Sequence, residues 1–177
     1  LAEHGIEFTV LAPSQAKAIR LEHETAFVPT SEGGLDTRRP YRVDLGGGLS
    51  IAVFFYDGAT SQAVAFERLL SNGDAFANRL YEGFSREAQR PELVHIATDG
   101  ETYGHHHRFG EMALAYAFRR IERDPDVTLT NYASFLATHP PKDEATIVEN
   151  SSWSCAHGVG RWSADCGSPA LRCPLRL

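Results

Sequence analysis

The sequence has no excess of basic residues and no long apolar run. Lysine and arginine total 17 against 23 aspartates and glutamates, which gives a net charge of -6 with the eight histidines neutral. Proteins that bind nucleic-acid phosphates usually carry a basic stripe, so we expect no nucleic-acid partner. Apolar runs all fall well short of the roughly 20 residues that span a bilayer, so we expect no membrane partner either.

Cysteines are few and confined to the last part of the sequence, at Cys155, Cys166 and Cys173. The N-terminus has no basic segment followed by an apolar core, so a signal peptide is not predicted. An odd number of cysteines without a secretion signal argues against a disulfide framework and favours reduced thiols in the cytoplasm. Cys155, His157 and Cys166 lack the paired spacing of a zinc knuckle, and we predict neither a metal nor a cofactor.

Apolar strands alternate with amphipathic helices through most of the chain. The pattern predicts strands at 8–12, 50–57 and 92–99, a hairpin around 41–57, and helices at 14–22, 60–72, 74–89 and 107–124. A short strand and a helical turn are predicted within 127–141, and the segment from 143 is less regular. Strands that are apolar on both faces and alternate with helices predict an α/β fold with a parallel sheet.

Two acidic residues stand at the ends of the predicted strands. Asp57 follows the apolar stretch "AVFFY", and Asp99 follows "VHIAT". Ligands of parallel sheets bind at the carboxyl ends of the strands, so both acids are expected at that edge. Tyr56 and Asp57 are therefore candidates for substrate binding, although a turn that ends the strand explains them equally well.

The best candidate for a reactive group at this edge is the turn formed by Asp99, Gly100 and Glu101. A carboxyl at the end of a buried strand, beside a second carboxyl, tends to have a raised pKa and suits a general acid. Asp99 and Glu101 are too close in sequence to lie on opposite sides of a scissile bond. The alternative is an ordinary turn with solvated acids.

Three consecutive histidines, His105, His106 and His107, follow this turn. Neighbouring positions at the start of a helix point in different directions, so ligation of one metal ion by all three is not favoured. Histidines also bind sugar hydroxyls. Trp153, in "SSWSCAHG", is a further candidate because its ring can stack on a sugar, with a packed core tryptophan as the alternative.

The window "ATDGETYGHHHRFGE" resembles the fourth conserved region of glycoside hydrolase family 57. Asp99, Gly100, Glu101 and the following Thr-Tyr-Gly-His match that region, whereas His106 and His107 stand where branching and amylase members have a tryptophan pair. The longer segments "FFYDGATSQAVAFERLL" and "ENSSWSCAHGVGRW" resemble a bacterial branch that carries domain of unknown function 3536.

The resemblance implies a retaining enzyme acting on an α-glucan or oligosaccharide, by hydrolysis or by glucan transfer. It implies Asp99 as the catalytic acid/base. Glu101, His105 and His106, which lie beside Asp99 in the sequence, are predicted to bind the substrate. The nucleophilic glutamate of the family lies in a motif for which this sequence has no match. We therefore interpret the sequence as an internal fragment that is inactive by itself, with the nucleophile upstream.

The implied architecture is the C-terminal part of an incomplete seven-stranded (β/α) barrel. We expect this catalytic part to occupy residues 1–140, and residues 141–177 to begin a C-terminal extension with a truncated tail. Two other hypotheses stay open: a metal-dependent polysaccharide deacetylase, with Asp99 and His105 or His107 as ligands, and a non-catalytic carbohydrate-binding domain. The sequence makes no prediction about oligomeric state.

Overall fold

A computed structural model describes residues 1–163 as a mixed α/β structure built on a six-stranded sheet. The strands are β1 (Phe8–Leu11), β2 (Ala16–Arg20), β3 (Val28–Pro29), β4 (Pro40–Gly46), β5 (Leu49–Phe55) and β6 (Asp143–Ile147). Their order in the sheet is β1-β5-β4-β6-β2-β3. The strongest predicted strand, β5, lies between β1 and β4 and is buried from Ile51 to Phe55.

The sheet is mixed, so the prediction of parallel strands is wrong in part. Strand β5 runs parallel to β1, and β6 runs parallel to β4. The pairs β4–β5, β2–β3 and β2–β6 are antiparallel. The predicted hairpin is confirmed: β4 and β5 are joined across Gly46, Gly47 and Gly48, all of which have positive φ angles that favour glycine.

The described residues contain four α-helices: α1 (Gly58–Phe66), α2 (Gly73–Glu82), α3 (Gly110–Ile121) and α4 (Tyr132–Thr138). Asp57, Asn72 and Asn131 cap the N-termini of α1, α2 and α4 by accepting hydrogen bonds from backbone N–H groups. None of the helices within residues 1–163 has the length and apolar character needed to cross a membrane.

Three predicted elements have a different structure. Residues 14–22 were expected to be helical, but a short 3-10 turn (Pro13–Gln15) leads directly into strand β2. Its backbone is paired between β3 and β6, and this pairing overrides the local helical preference. Residues 92–99 form no strand, and 127–130 form none either.

The buried side chains form two separate hydrophobic clusters. The sheet cluster contains Ala16, Ile19, Tyr41, Val43, Ile51, Val53, Phe55 and Ala145. The helix cluster contains Val64, Leu70, Phe76, Ala77, Ala113 and Ala117 from α1, α2, α3 and the turn at 69–71. Tyr103 and Ile96 pack against the helix cluster, so the residues on both sides of Asp99 are tied to it.

A buried carboxylate joins the sheet to the long connection between α2 and α3. Asp143, at the start of β6, is 1% exposed and accepts hydrogen bonds from the side chains of Arg39 and Arg90 and from the backbone N–H of Glu22. Arg90 belongs to the connection, which therefore cannot move freely away from the sheet. Because β6 lies between β4 and β2, the segment from residue 141 begins inside this sheet, and the division at 140 stays a prediction.

Candidate functional site

Residues 91–98 lead to Asp99 through individual hydrogen bonds rather than through a β-ladder. Leu93 donates its N–H to the carbonyl of Arg38 over 2.8 Å. The N–H of Asp57 donates to the carbonyl of His95 over 3.0 Å, and the N–H of Ala97 donates to Ser61 Oγ over 3.0 Å. The end of β5 and the start of α1 therefore fix the backbone just before Asp99.

His95 is the buried centre of this segment. Its Nε2 lies 2.9 Å from the carbonyl oxygen of Thr37, and its Nδ1 lies 2.9 Å from the hydroxyl of Tyr132. A carbonyl only accepts, so Nε2 carries the proton and Nδ1 accepts from Tyr132 in the neutral ring. Burial lowers the pKa of His95, which keeps the ring neutral.

Asp99 stands at the first position of a short 3-10 turn (Gly100–Thr102), and its side chain is exposed. Its backbone carbonyl accepts from the N–H of Thr102 over 3.0 Å. Its carboxylate has no hydrogen-bond or ion-pair partner within residues 1–163. The burial on which the predicted general acid depended is thus not present in this structure, while the carboxylate itself is accessible.

Glu101 and the first two histidines form one exposed turn. The carbonyl of Glu101 accepts from the N–H groups of His105 and His106, over 3.1 and 2.9 Å. The rings of His105 and His106 contact each other edge to face, with centroids 5.0 Å apart. His107 points the other way, and its Nε2 donates to the carbonyl of Ala65 in α1 over 2.9 Å. The histidines therefore do not converge.

Glycines allow this turn to lie directly against α3. Gly104 has a φ angle of +126° that L side chains rarely adopt. A Cβ on Gly110, the first residue of α3, would lie 3.1 Å from a methyl of Leu70 and 3.3 Å from the carbonyl oxygen of Thr102. The helix therefore begins at Gly110, later than the predicted start at His107.

Asp57 uses its carboxylate to cap α1. One oxygen accepts from the N–H of Thr60 over 3.0 Å, and the other accepts from the Thr60 hydroxyl over 2.6 Å. Both oxygens thus have protein partners, which supports the structural explanation without testing a substrate contact. Tyr56 is half-buried, and burial raises the pKa of its hydroxyl.

A small cavity of about 10 Å³ lies beside these residues, lined by Thr37, Asp57, Leu93 and His95 among others. That space corresponds to about one water molecule and excludes a sugar. This cavity is therefore too small to be the binding site of a sugar.

Trp153 is 62% exposed, so the alternative of a packed core tryptophan is wrong. The guanidinium of Arg161 lies over its ring at 5.9 Å and over the ring of Trp162 at the same distance. Arg161 and Trp162 were not predicted as functional residues from the sequence. The feature that could have indicated them is the arginine directly before a tryptophan at 161–162.

Metal ligands do not assemble in the part of the chain that the structure describes. No three side chains among its histidines, cysteines, aspartates and glutamates are placed to hold one ion. Cys155 Sγ lies 3.7 Å from His157 Nδ1, and Cys166 lies outside the described residues. Asp99, His105 and His107 likewise do not form the ligand set of the deacetylase hypothesis.

Comparison with known proteins agrees with the resemblance seen in the sequence. The crystal structure of 4-alpha-glucanotransferase from Thermococcus litoralis matches with a TM-score of 0.56 and 20% sequence identity. The match covers 84% of this chain and 22% of that chain, so the sequence corresponds to about a fifth of the larger enzyme. At this identity the likeness shows the fold alone. No curated protein matches the sequence significantly.

The family assignment comes from the sequence itself. The pattern of glycosyl hydrolase family 57 matches residues 1–148, which include Asp57 and the complete turn from Asp99 to His107. The chain belongs to glycosyl hydrolase family 57.

Proposed function

We propose that this chain supplies the catalytic acid/base of an enzyme that cleaves or transfers α-glucans with retention of configuration. Asp99 is the acid/base in this proposal, and the nucleophile is a glutamate outside this sequence. Glu101, His105 and His106 bind the sugar around the scissile bond. Tyr56, Asp57 and Trp153 are proposed to contact the substrate as well.

The observation that carries the proposal is the accessible, unpartnered carboxylate of Asp99 on a backbone that is otherwise firmly held. Three hydrogen bonds fix the preceding segment at Leu93, His95 and Ala97. A carboxylate with no partner in the described part of the chain has both oxygens available for a ligand. A fixed position is what proton transfer requires, because donor and acceptor must come within hydrogen-bond distance.

The proposed chemistry has two steps. In the first, the Asp99 carboxylic acid gives its proton to the glycosidic oxygen as the bond from that oxygen to the anomeric carbon breaks and the nucleophile bonds to the same carbon. In the second, a water or a glucan hydroxyl attacks that carbon, the carboxylate of Asp99 takes its proton, and the nucleophile leaves. Water gives hydrolysis, and a glucan hydroxyl gives transfer.

The acid must be protonated when substrate arrives, yet Asp99 is exposed in this structure. We propose that the remaining part of the catalytic domain and the bound sugar cover Asp99, since covering a carboxyl raises its pKa. In this proposal the sheet of this chain is part of the incomplete (β/α) barrel of the family, and the chain belongs to the bacterial branch with domain 3536. The parallel pair β1–β5 supports the barrel assignment.

The test is the Asp99→Asn substitution in the longer polypeptide that contains this sequence. We expect kcat for an α-glucan to fall by about 10²–10⁴-fold, the usual contribution of a general acid. A glycosyl fluoride needs no protonation of its leaving group. With that substrate, Asp99→Asn should therefore lower the rate of the first step much less. A matched control is Glu87→Gln, because Glu87 is an exposed carboxylate on the same connection and should leave both rates unchanged.

Equal losses with both substrates would contradict the acid role of Asp99. Full activity of Asp99→Asn on the glucan would overturn the proposal. The same comparison tests the expectation that the 177-residue chain alone has negligible activity, because detectable turnover by it would mean that the nucleophile is present in this sequence.

A further inference from the structure

Both tryptophans of the chain are on one exposed surface. The sequence contains only two, Trp153 and Trp162, and they are 62% and 53% exposed. Tryptophan is usually highly buried, because removing its large ring from water is favourable. Exposure of both rings in the same short segment therefore points to a ligand that covers them.

Arg161 joins the two rings into one surface. Its guanidinium lies 5.9 Å from the centroid of each ring, within the range of a cation–π contact. One guanidinium nitrogen also donates a hydrogen bond to Ser154 Oγ. Ser154 Oγ is in turn 3.3 Å from Ser152 Oγ. The surface thus combines two aromatic rings with a row of hydrogen-bonding groups beside them.

The backbone that carries this surface is a closed loop. The N–H of Val159 donates to the carbonyl of Asn150 over 2.9 Å, which brings the two ends of the loop together. A Cβ on Gly158 would lie 1.9 Å from that carbonyl oxygen, so only glycine fits there. The loop is attached to the N-terminal part of the sheet, since Gln15 Nε2 donates to Ser151 Oγ over 3.2 Å. Trp153 lies within this closed loop, and Trp162 ends the 3-10 turn (Gly158–Trp162) that follows it.

We propose that Trp153, Arg161 and Trp162 form a stacking surface for an α-glucan chain. The apolar faces of glucose units match the exposed indole faces, and the sugar hydroxyls match the guanidinium and the serine hydroxyls. The proposal extends the substrate contact assigned to Trp153 above and rests on the proposed function for the identity of the sugar. It makes no use of Asp99, so binding and cleavage can be tested separately.

The test uses the 177-residue chain and its intrinsic fluorescence. Because both tryptophans belong to the proposed surface, any change in tryptophan emission reports on it directly. Addition of maltoheptaose, a linear α-linked glucan, should change the emission in a saturable way. Trp153→Ala and Trp162→Ala should each weaken binding about tenfold as measured by calorimetry, whereas Trp153→Phe keeps an aromatic face and should lose less.

The matched control is Phe66→Ala, because Phe66 is an exposed aromatic residue, 82% exposed, at the end of α1. It should bind maltoheptaose as the wild type does, and far-UV circular dichroism verifies that every variant is folded. Glu87→Gln, which removes an exposed carboxylate outside the proposed surface, should also bind maltoheptaose normally. Absence of any emission change, equal binding of the β-linked cellohexaose, or unchanged binding by both alanine variants would overturn the stacking surface.

Discussion

The carboxylates near the two ends of the connection between α2 and α3 differ in whether they have side-chain partners. At one end, Arg90 and Arg39 hold the buried carboxylate of Asp143, which also accepts from the N–H of Glu22. At the other end, the carboxylates of Asp99 and Glu101 have no side-chain partner within residues 1–163. The first group of charges maintains the structure, whereas the second is available to a ligand.

This difference indicates which carboxylates of the fold are available for proton transfer. A carboxylate that is already saturated by protein donors cannot take part in proton transfer without breaking the structure, and Asp143 and Asp57 are in that position. Asp99 has no such partner in the described residues, so a ligand can reach its carboxylate without breaking the structure. The predictions below test this contrast, beginning with the end that we expect to be sensitive.

Substitution of Asp143 by alanine should have the largest effect on stability. It leaves Arg39 and Arg90 without their shared buried partner, and loss of one member of a buried ion pair costs about 3–5 kcal/mol. Both arginines are partly exposed, so we expect the lower end, about 3 kcal/mol, in the free energy of unfolding measured with urea.

Glu144 provides the matched control, since it is the next residue and pairs with Arg20 and Arg42. Its side chain is more exposed than that of Asp143, so Glu144→Ala should lose about 1 kcal/mol or less. If the two variants lost the same stability, burial would not be the property that distinguishes Asp143.

His95→Phe should have the next largest effect. The substitution keeps an aromatic ring in the buried site but leaves the carbonyl of Thr37 and the hydroxyl of Tyr132 without their partner. An unsatisfied buried polar group costs about 1–3 kcal/mol, and we expect about 2 kcal/mol in urea unfolding. His105→Phe is the control, because His105 is exposed and should change stability by less than about 0.5 kcal/mol. A stable His95→Phe protein would contradict the central role of this histidine.

The same histidine predicts a pH dependence. Burial lowers the pKa of His95, so the unfolded chain binds a proton near its ordinary pKa of about 6.5 while the folded chain does not. Stability from this residue is therefore complete above that pH and is lost as pH falls below it, with a slope of at most about 1.4 kcal/mol per pH unit. Between about pH 7.5 and 5.5, the wild type should therefore lose more stability than His95→Phe. Parallel losses would mean that His95 titrates normally.

Local sequence patterns predicted the elements that local forces determine. The glycine-rich hairpin before β5, the buried strand β5 itself and the amphipathic helix α3 are all present, because turn chemistry and apolar spacing specify them directly. Strand β2 was mistaken for a helix and β6 was not predicted, since both depend on pairing with residues that are far away in sequence. The mixed direction of the sheet follows from these distant pairings, which no local pattern encodes.

The residues of the candidate site could be predicted from the sequence, but their burial and their contacts could not. The Asp-Gly-Glu turn and the family followed from the window at 99–107, and the family is confirmed. The exposure of Asp99 and the use of Asp57 as a helix cap required coordinates, because a carboxylate at the end of an apolar segment can be buried, capping or exposed. The roles of the predicted site residues stay predictions.

Asp99→Asn should have the smallest effect on stability. The carboxylate has no partner in the described residues, and the exposed amide of asparagine fits the same space. We expect the free energy of unfolding to change by less than about 0.5 kcal/mol, as is usual for a surface substitution. The measurement is the same urea titration that shows the loss at Asp143.

The small effect at Asp99 has a specific meaning only beside a substitution at Asp57, the other acid that follows a predicted strand. Asp57→Asn removes the charge that accepts from Thr60 and caps α1, so it should cost about 1 kcal/mol. A cost of that size for Asp99→Asn would show that the carboxylate of Asp99 also supports the fold. The contrast between the structural acid Asp57 and the available acid Asp99 would then fail. A negligible cost at Asp99, with the expected cost at Asp57, would mean that stability does not require an acid at position 99, which is what the proposed acid/base role predicts.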